Sequence, residues 1–386
     1  MWSLSPDIHH LNHGSFGAVP IPVQEARAEW LQRWESATSR FIFEEFAEAV
    51  EIARSEVATF VGASKDGFAF VRNASTGVAS VVRSIEPWLR PGDEVVVTSQ
   101  TYNAVRQTVE FTAARTGARV VAVDLPFPLA SPSHVTEAVV AAVGPRTKLV
   151  VVDHISSPTG VVFPIEEILG QLEPEVPVLV DGAHGPGQVP LGLDALGASW
   201  YTGNLHKWVC APKGAAFLWT RADRIDHTFP VVISHGWNTP MVGGESRYHA
   251  LFDWLGTDDM TPWLAAPAAI RCVGGMVPGG WPEVMRRNHE MALSARSVLC
   301  DALGIGPPAP EAMVGSMAAI PLPEGKGEVG RDLLSPLNGQ LLAAGFETLV
   351  YPWPEWPSQL LRVSAHLYNT LDEYEKLAVA INELVA

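Results

Sequence analysis

Cysteine is scarce in this chain. Its three residues, Cys210, Cys272 and Cys300, stand far apart with no CxxC pair. That spacing speaks against a disulfide framework and against a zinc site, so no metal is expected, and it fits a reducing, cytoplasmic setting. Long apolar runs are missing too. The longest, such as residues 148–153 and 176–180, are strand-sized, well short of the roughly 20 residues a membrane-spanning helix needs. The first ten residues lack the positive and apolar regions of a secretory signal. Positive charge is in deficit, with 26 Lys and Arg against 42 Asp and Glu and a formal net charge of −16. Such a surface repels nucleic acid and anionic lipid, so neither is expected as a partner. Any phosphate must be held locally, by backbone amides and a few placed side chains. No repeat, low-complexity tract or charge block is visible.

What is present describes a compact α/β protein. The hydrophobic fraction is 47% and the charged fraction 18% over 386 residues, a globular balance and a length suited to two domains. Residues 26–60 carry apolar and aromatic side chains at helical spacing, Trp30, Trp34 and Phe41 among them. Beyond them, helix-like stretches (77–89, 102–116, 134–143, 165–172) alternate with β-branched runs (94–98, 119–123, 149–153, 178–181). Such alternation predicts right-handed βαβ units and a largely parallel sheet covered on both faces. After about residue 267 a long helix (282–303), shorter strands (317–322, 360–364) and a last helix (371–385) read as a smaller α+β domain. The predicted division is a large domain over 18–265, with 1–17 and 266–386 forming the small one.

Three segments carry chemistry. In Val178-Leu-Val-Asp181-Gly-Ala-His184 an apolar strand ends in an acid and a glycine-rich turn. Ligands of open α/β sheets bind at the carboxyl ends of strands, although an acid there can equally cap the next helix. In Tyr201-Thr-Gly-Asn-Leu-His206-Lys207-Trp208 a lysine sits in an aromatic-flanked turn between apolar runs. Desolvation there would lower its pKa and free the amine to attack a carbonyl. Phe70-Val-Arg-Asn73-Ala74-Ser75-Thr76-Gly77 opens a helix, and its amides and hydroxyls could bind an anion without net positive charge.

In this order the segments resemble the class V branch of the fold-type I enzymes that use pyridoxal 5′-phosphate, in particular the isopenicillin N epimerase family. The likeness covers nearly the whole chain: Leu11-Asn-His-Gly-Ser-Phe-Gly17, Asp181-Gly-Ala-His184, His206-Lys207-Trp208, Leu255-Gly-Thr257-Asp-Asp-Met-Thr-Pro-Trp263 and Leu361-Arg-Val-Ser-Ala365. It implies a fold-type I architecture, a large domain with a mostly parallel sheet of the seven-stranded type plus a smaller α+β C-terminal domain.

The resemblance also implies roles. Lys207 would hold the cofactor as a Schiff base and carry the α-proton. Asp181 would pair with the pyridine nitrogen, and His184 would bond near the phenolic oxygen. Tyr102 would stack on the ring, worth roughly 0.5–1.5 kcal/mol beyond burial. Ala74 and Ser75 would hold the phosphate with His206 nearby. Relatives usually carry Ser or Thr where this chain has Asn204, which could still donate to that phosphate. Thr257 would reach the phosphate of a second subunit, making a homodimer. Arg362 would clamp the substrate α-carboxylate as a bidentate fork, and Asn12 and His13 would line the substrate entrance.

For an amino-acid substrate, epimerisation stands first. A carbon–sulfur β-lyase of the hercynylcysteine sulfoxide lyase type or a class V aminotransferase is the alternative, and a cofactor-binding regulator the non-enzyme one. No cysteine follows Cys300, so the small-domain nucleophile of the cysteine desulfurases is lacking. Trp208, Trp237, Trp254 and Trp263, four of 13 tryptophans, fall near the candidate site and suggest an aromatic-rich pocket, although core and dimer packing is their more ordinary use.

Overall fold

The computed structural model describes residues 1–242, 244, 246–331 and 333–385. Its twelve strands are β1 (His9–His10), β2 (Phe68–Val71), β3 (Glu94–Thr98), β4 (Arg119–Val123), β5 (Thr147–Asp153), β6 (Val178–Gly182), β7 (Trp200–Asn204), β8 (Ala216–Thr220), β9 (Met317–Leu322), β10 (Phe346–Glu347), β11 (Leu349–Pro352) and β12 (Gln359–Ser364).

Seven strands form one sheet in the order β2-β8-β7-β6-β5-β3-β4. Only β8 runs against the rest. The runs Val95–Val97, Leu149–Val152 and Val178–Val180 are buried throughout, because helices cover both faces and each side chain finds apolar company whichever way it points. A parallel sheet of this kind brings the ends of β3, β5, β6 and β7 to one edge. There Asp153 pairs in register with Asp181, and Asp181 with Thr202.

The helix Ala74–Ile85 starts at this same edge, its first turn capped by the Asn73 side chain, which accepts from Thr76 N at 2.9 Å. It crosses β7 so closely that a Cβ on Gly77 would lie 2.1 Å from Thr202 Oγ1. Only glycine permits that approach.

A second, three-stranded antiparallel sheet, β11-β12-β9, packs against the helices Gly280–Leu303 and Leu371–Val385 around its own core. The N-terminal β1 pairs with β10 beside it, which brings residues 11–17 back towards the edge of the large sheet. Residues 26–60, expected to be helical, are so almost throughout but are interrupted. They divide into helices Ile21–Ser36 and Phe46–Phe60, joined through Thr38–Arg40 and a π-helical turn at Phe41–Glu45. Phe41 is buried there, stacked on Trp34 at 5.7 Å and 6.4 Å from both Trp30 and Phe46. Burying that aromatic group outweighs an unbroken hydrogen-bond ladder.

Candidate active site

A cavity of about 260 Å³ opens at the shared edge. Its walls carry Lys207, His206 and Asn204 from the end of β7 and the loop after it. Asp181 comes from β6 and His184 from the turn after it, Asp153 from β5 and Ser157 from the loop after it, Tyr102 from the turn after β3, and Ala74 and Ser75 from the helix start. Segments as far apart in sequence as residues 15 and 207 meet here.

Lys207 Nζ lies 2.9 Å from His184 Nε2. Trp208 Nε1 donates to the other ring nitrogen, His184 Nδ1, at 3.4 Å. An indole N–H can only donate, so Nδ1 accepts and the ring proton sits on Nε2, aimed at the amine. Burial keeps His184 well below the usual histidine range, helped by the charges of Lys207 and Arg362. Burial and Arg362 bring Lys207 down to about 7, against the pull of Asp181. A neutral, nucleophilic amine is therefore available near neutrality.

Asp181 is buried, which pushes its carboxyl up, while the Ala183 amide and the charge of Lys207 pull it back. Oδ1 accepts from Ala183 N at 3.0 Å. Asp153, one strand away, was not singled out in the sequence. It lines the same cavity, with Oδ2 buried and lacking a partner. Burial first, and Asp181 second, drive its pKa well above the carboxylate range, although Tyr102 N and the Thr101 hydroxyl donate to it. Two like charges on neighbouring strand tips are costly, so Asp153 keeps its proton where Asp181 loses its own. The sequence signal was available: Val150-Val-Val-Asp153 repeats the apolar-run-then-acid pattern of β6.

The opposite wall suits an anion. Asn204 Oδ1 accepts from Ala74 N at 2.8 Å, so its NH₂ is the part left to donate. Among the described residues the Ser75 amide and hydroxyl have no partner. His206 Nδ1 donates to Ala215 O at 2.9 Å, and burial holds its pKa down to about 4. Its Nε2 then carries no proton, so a phosphate there must first protonate the ring before His206 can donate to it. A free amine, an acid at one wall and amide and hydroxyl donors at the other fit the aldehyde, ring nitrogen and phosphate of the cofactor that the resemblance implies.

Arg362, on β12, is buried just outside the cavity wall. Nη1 donates to Ser157 O at 2.5 Å and Nη2 to Ser15 Oγ at 2.8 Å, while Nε has no partner. Ser15 and Ser157 both line the cavity, and neither had been singled out in the sequence. Asn12 is half-buried and accepts from Ser15 Oγ at 2.7 Å. Tyr102 caps the helix Asn103–Thr116 with 46% of its surface exposed.

Three further residues lie outside this cavity: Asn12 and His13, expected at the entrance, and Thr257, expected at a partner's site. His13 is buried behind the lysine, its Nδ1 2.9 Å from Tyr368 Oη and its Nε2 donating to Lys207 O at 3.1 Å. It does not line this cavity, but with Asn12 it borders a neighbouring one of about 610 Å³. Its neighbours Phe16 and Ser15 do line the cavity around Lys207, because the short helix His13–Phe16 turns them outward. Thr257 is exposed in the loop before Met260 and does not reach this chain's cavity. None of the four tryptophans lines it. Trp208 and Trp263 are core residues, Trp254 is half-buried and Trp237 exposed.

The family model described as Aminotransferase class-V matches residues 18–377. The chain is 34% identical to an isopenicillin N epimerase of Amycolatopsis lactamdurans, over 99% of this chain and 96% of that protein. It is 32% identical to a putative L-cysteine desulfhydrase of Oryza sativa subsp. japonica, over 98% and 83%. A cysteine desulfurase structure from Thermococcus onnurineus NA1 superposes with a TM-score of 0.81 at 20% identity, covering 100% of this chain and 96% of that one.

Proposed function

From the premise that the chain belongs to the aminotransferase class-V family of pyridoxal 5′-phosphate enzymes, we propose that it epimerises an amino acid at its α-carbon. The bound cofactor supplies an electron sink, which lets a bond to that carbon break heterolytically. The chain's own residues decide which bond breaks and where the proton goes. Lys207 would hold the cofactor's aldehyde carbon and, once released, take the α-proton. Asp181 would keep the pyridine nitrogen protonated, and the Nε2 proton of His184 would donate to the phenolic oxygen. Ser75, Ala74, Asn204 and His206 would surround the phosphate. Arg362, exchanging its bonds to Ser15 and Ser157 for a carboxylate, would fix the substrate.

One observation carries the choice of reaction. Lys207 follows β7 and Tyr102 follows β3, with β6 and β5 between them. Their backbones are three strand spacings apart, roughly 14 Å, so the two side chains enter the cavity from opposite walls. Epimerisation needs a proton carrier on each face of the α-carbon, and these two residues supply the pair. Incubation with candidate amino acids in deuterium oxide tests this. Solvent deuterium at Cα with mixed configuration is the expected outcome. Pyruvate and ammonia without inversion would replace epimerisation by β-elimination, the second reading, which needs only Lys207 and draws support from the likeness to a putative desulfhydrase. The assembly in this proposal is a homodimer, Thr257 reaching the partner's phosphate site. A monomer in light scattering would exclude it.

A further inference from the structure

We propose that Tyr201, which lies outside the cavity, is a positioning residue: its hydroxyl, held by His154, supports from beneath the turn that aims His184 at Lys207. The inference builds on the role given to Lys207 above but not on which reaction follows.

Tyr201 is fully buried on β7, opposite Val180 of β6. Its ring stacks on Phe217 at 6.1 Å and 11°. The hydroxyl reaches under the turn that follows β6, which Gly185 N closes by donating to Gly182 O at 2.8 Å. A Cβ on Gly182 would lie 2.0 Å from Tyr201 Cζ, and one on Gly185 would lie 2.0 Å from Tyr201 Oη. Neither glycine has a φ in the left-handed region, so neither is required by its backbone angle. What excludes a side chain at both ends of the turn is the phenol lodged below it.

Among the described residues the hydroxyl pairs with His154 Nδ1, at 2.9 Å, and the two rings meet edge-on at 5.8 Å and 90°. Burial brings His154 down to about 4 and keeps the Tyr201 phenol well above its usual range, so two neutral groups share one hydrogen bond. His154 is itself fixed, its N donating to Asp181 O at 2.8 Å and its O accepting from Phe163 N at 2.9 Å.

The turn matters because His184 stands two residues beyond the last residue of β6, Gly182. Its carbonyl is held by Gln188 Nε2 at 2.9 Å. Its ring proton can be accepted by the amine of Lys207 but not by the ammonium, so correct aim favours the neutral form. The other titratable groups facing Lys207 are anchored elsewhere: Asp153 and Asp181 in the ladder of β5 and β6, Arg362 in that of β12, and His206 on Ala215 O. Loosening the turn therefore changes the contribution of His184 and leaves theirs.

Tyr201→Phe removes one oxygen and keeps the ring. In the apoprotein, the pH midpoint for modification of Lys207 by an aldehyde should rise by at least about half a unit. In the holoenzyme, exchange of the α-proton of L-alanine or L-cysteine in deuterium oxide should slow about tenfold in kcat, with KM, set by Arg362, within about twofold. His154→Leu should reproduce both changes and add nothing to Tyr201→Phe. His154→Asn, whose amide reaches the place of Nδ1, should restore the wild-type midpoint. Gly185→Ala tests the fit itself. It should slow exchange at least about tenfold in the wild type and cost nothing more in Tyr201→Phe, because without Oη the atoms nearest the new Cβ are Gly182 O and His154 Nδ1 at 3.4 Å. An unmoved midpoint in Tyr201→Phe overturns the proposal, even if the melting temperature falls. So does a Gly185→Ala loss that Tyr201→Phe fails to relieve. A wild type that exchanges neither α-proton counts against the amino-acid reading alone, since the apoprotein midpoint still decides on Tyr201.

Discussion

The peptide of Lys207 separates two groups of buried titratable side chains, and only one of them has the makings of an active site. In front are Lys207, His184, Asp181 and Asp153, around open volume. Behind are His13, Cys210, His366 and Tyr368. The front amine falls to about 7. Behind, burial takes His366 down to about 3, lowers His13 well below its usual range and pushes the Cys210 thiol well up. Perturbed titration therefore does not tell the two apart.

The difference lies in what the donors are already doing. His13 uses both ring nitrogens, on Tyr368 and on Lys207 O, and its ring stacks on His366 at 4.3 Å and 22°. Its Nε2, Cys210 Sγ and a His366 nitrogen lie within 4.8 Å of one another, a donor set a metal could want. Two stacked parallel imidazoles, however, cannot both direct in-plane lone pairs at one ion, and His13 Nε2 is engaged with a carbonyl. The rear group is mostly packing: His366 Nδ1 is buried there without a partner, but no open volume adjoins it among the described residues, and only His13 and Tyr368 border a neighbouring cavity. The front group has unpaired donors and space, and a site needs both.

The sharpest way to break this contrast is Lys207→Ala. Turnover should fall at least ~10³-fold, since both the covalent anchor and the proton carrier are removed. His13→Phe, on the other side of the same peptide, should lower the melting temperature and leave kcat within a fewfold. Equal kinetic losses from the two would erase the distinction. The lysine also predicts a pH dependence. Modification of the apoprotein at Lys207 by an aldehyde should rise with pH through about 7, because the ammonium below that point is not a nucleophile. Replacing Arg362 by Gln removes a charge that lowers this pKa, so the midpoint should move up.

Arg362→Lys comes next. A point charge cannot reproduce a fork, and the loss should be about 10- to 100-fold in kcat/KM, mostly in KM. Unchanged kinetics would show that Ser15 and Ser157 are the real purpose of the guanidinium.

How far the sequence reveals this contrast depends on distance along the chain. The strands of the large sheet that read as β-branched runs appear within two residues of their expected ends, since continuous apolar character needs no tertiary information. Strands β2, β7 and β8 went unread because FAFV, WYTGN and AFLWT carry aromatics, Gly and Ala in place of a valine run. Asp181, His184 and Lys207 were legible because each sits in a motif at a strand end. His13 could not be placed from sequence: a short helix sends alternate residues to opposite sides, and only the tertiary path of residues 11–17 sets it beside a neighbouring cavity of about 610 Å³ instead of the one around Lys207. Ser157 and Ser15 carry no sequence signal, as serines in loops are commonplace; Asp153 repeats the pattern of Asp181, yet it looked like the end of a strand.

Asp153→Asn sharpens the front group itself. If Asp153 is the neutral member of the acid pair, an amide imitates it, still accepting from Tyr102 N and Thr101. Cofactor affinity and the pH–rate profile around neutrality should stay within about twofold, whereas Asp181→Asn should lose the acid that faces the ring nitrogen. A strong effect of Asp153→Asn would mean that the charge rests on β5.

The smallest expected effect belongs to Cys210→Ala, and it tests the rear group most directly. Cys210 is fully buried with φ 61°, its Sγ 3.7 Å from His13 Nε2 and 3.5 Å from His366 Nε2. Alanine keeps the backbone conformation possible at no greater strain than cysteine and deletes one atom from a filled space. The cost should be about 1 kcal/mol in denaturant unfolding, comparable to removing one buried methyl. Turnover and the cofactor's absorbance should not change, because the thiol is held protonated by burial and faces away from the cavity. A drop in turnover at unchanged stability would mean that the two sides of the Lys207 peptide are chemically coupled, and that the packed cluster takes part in the reaction.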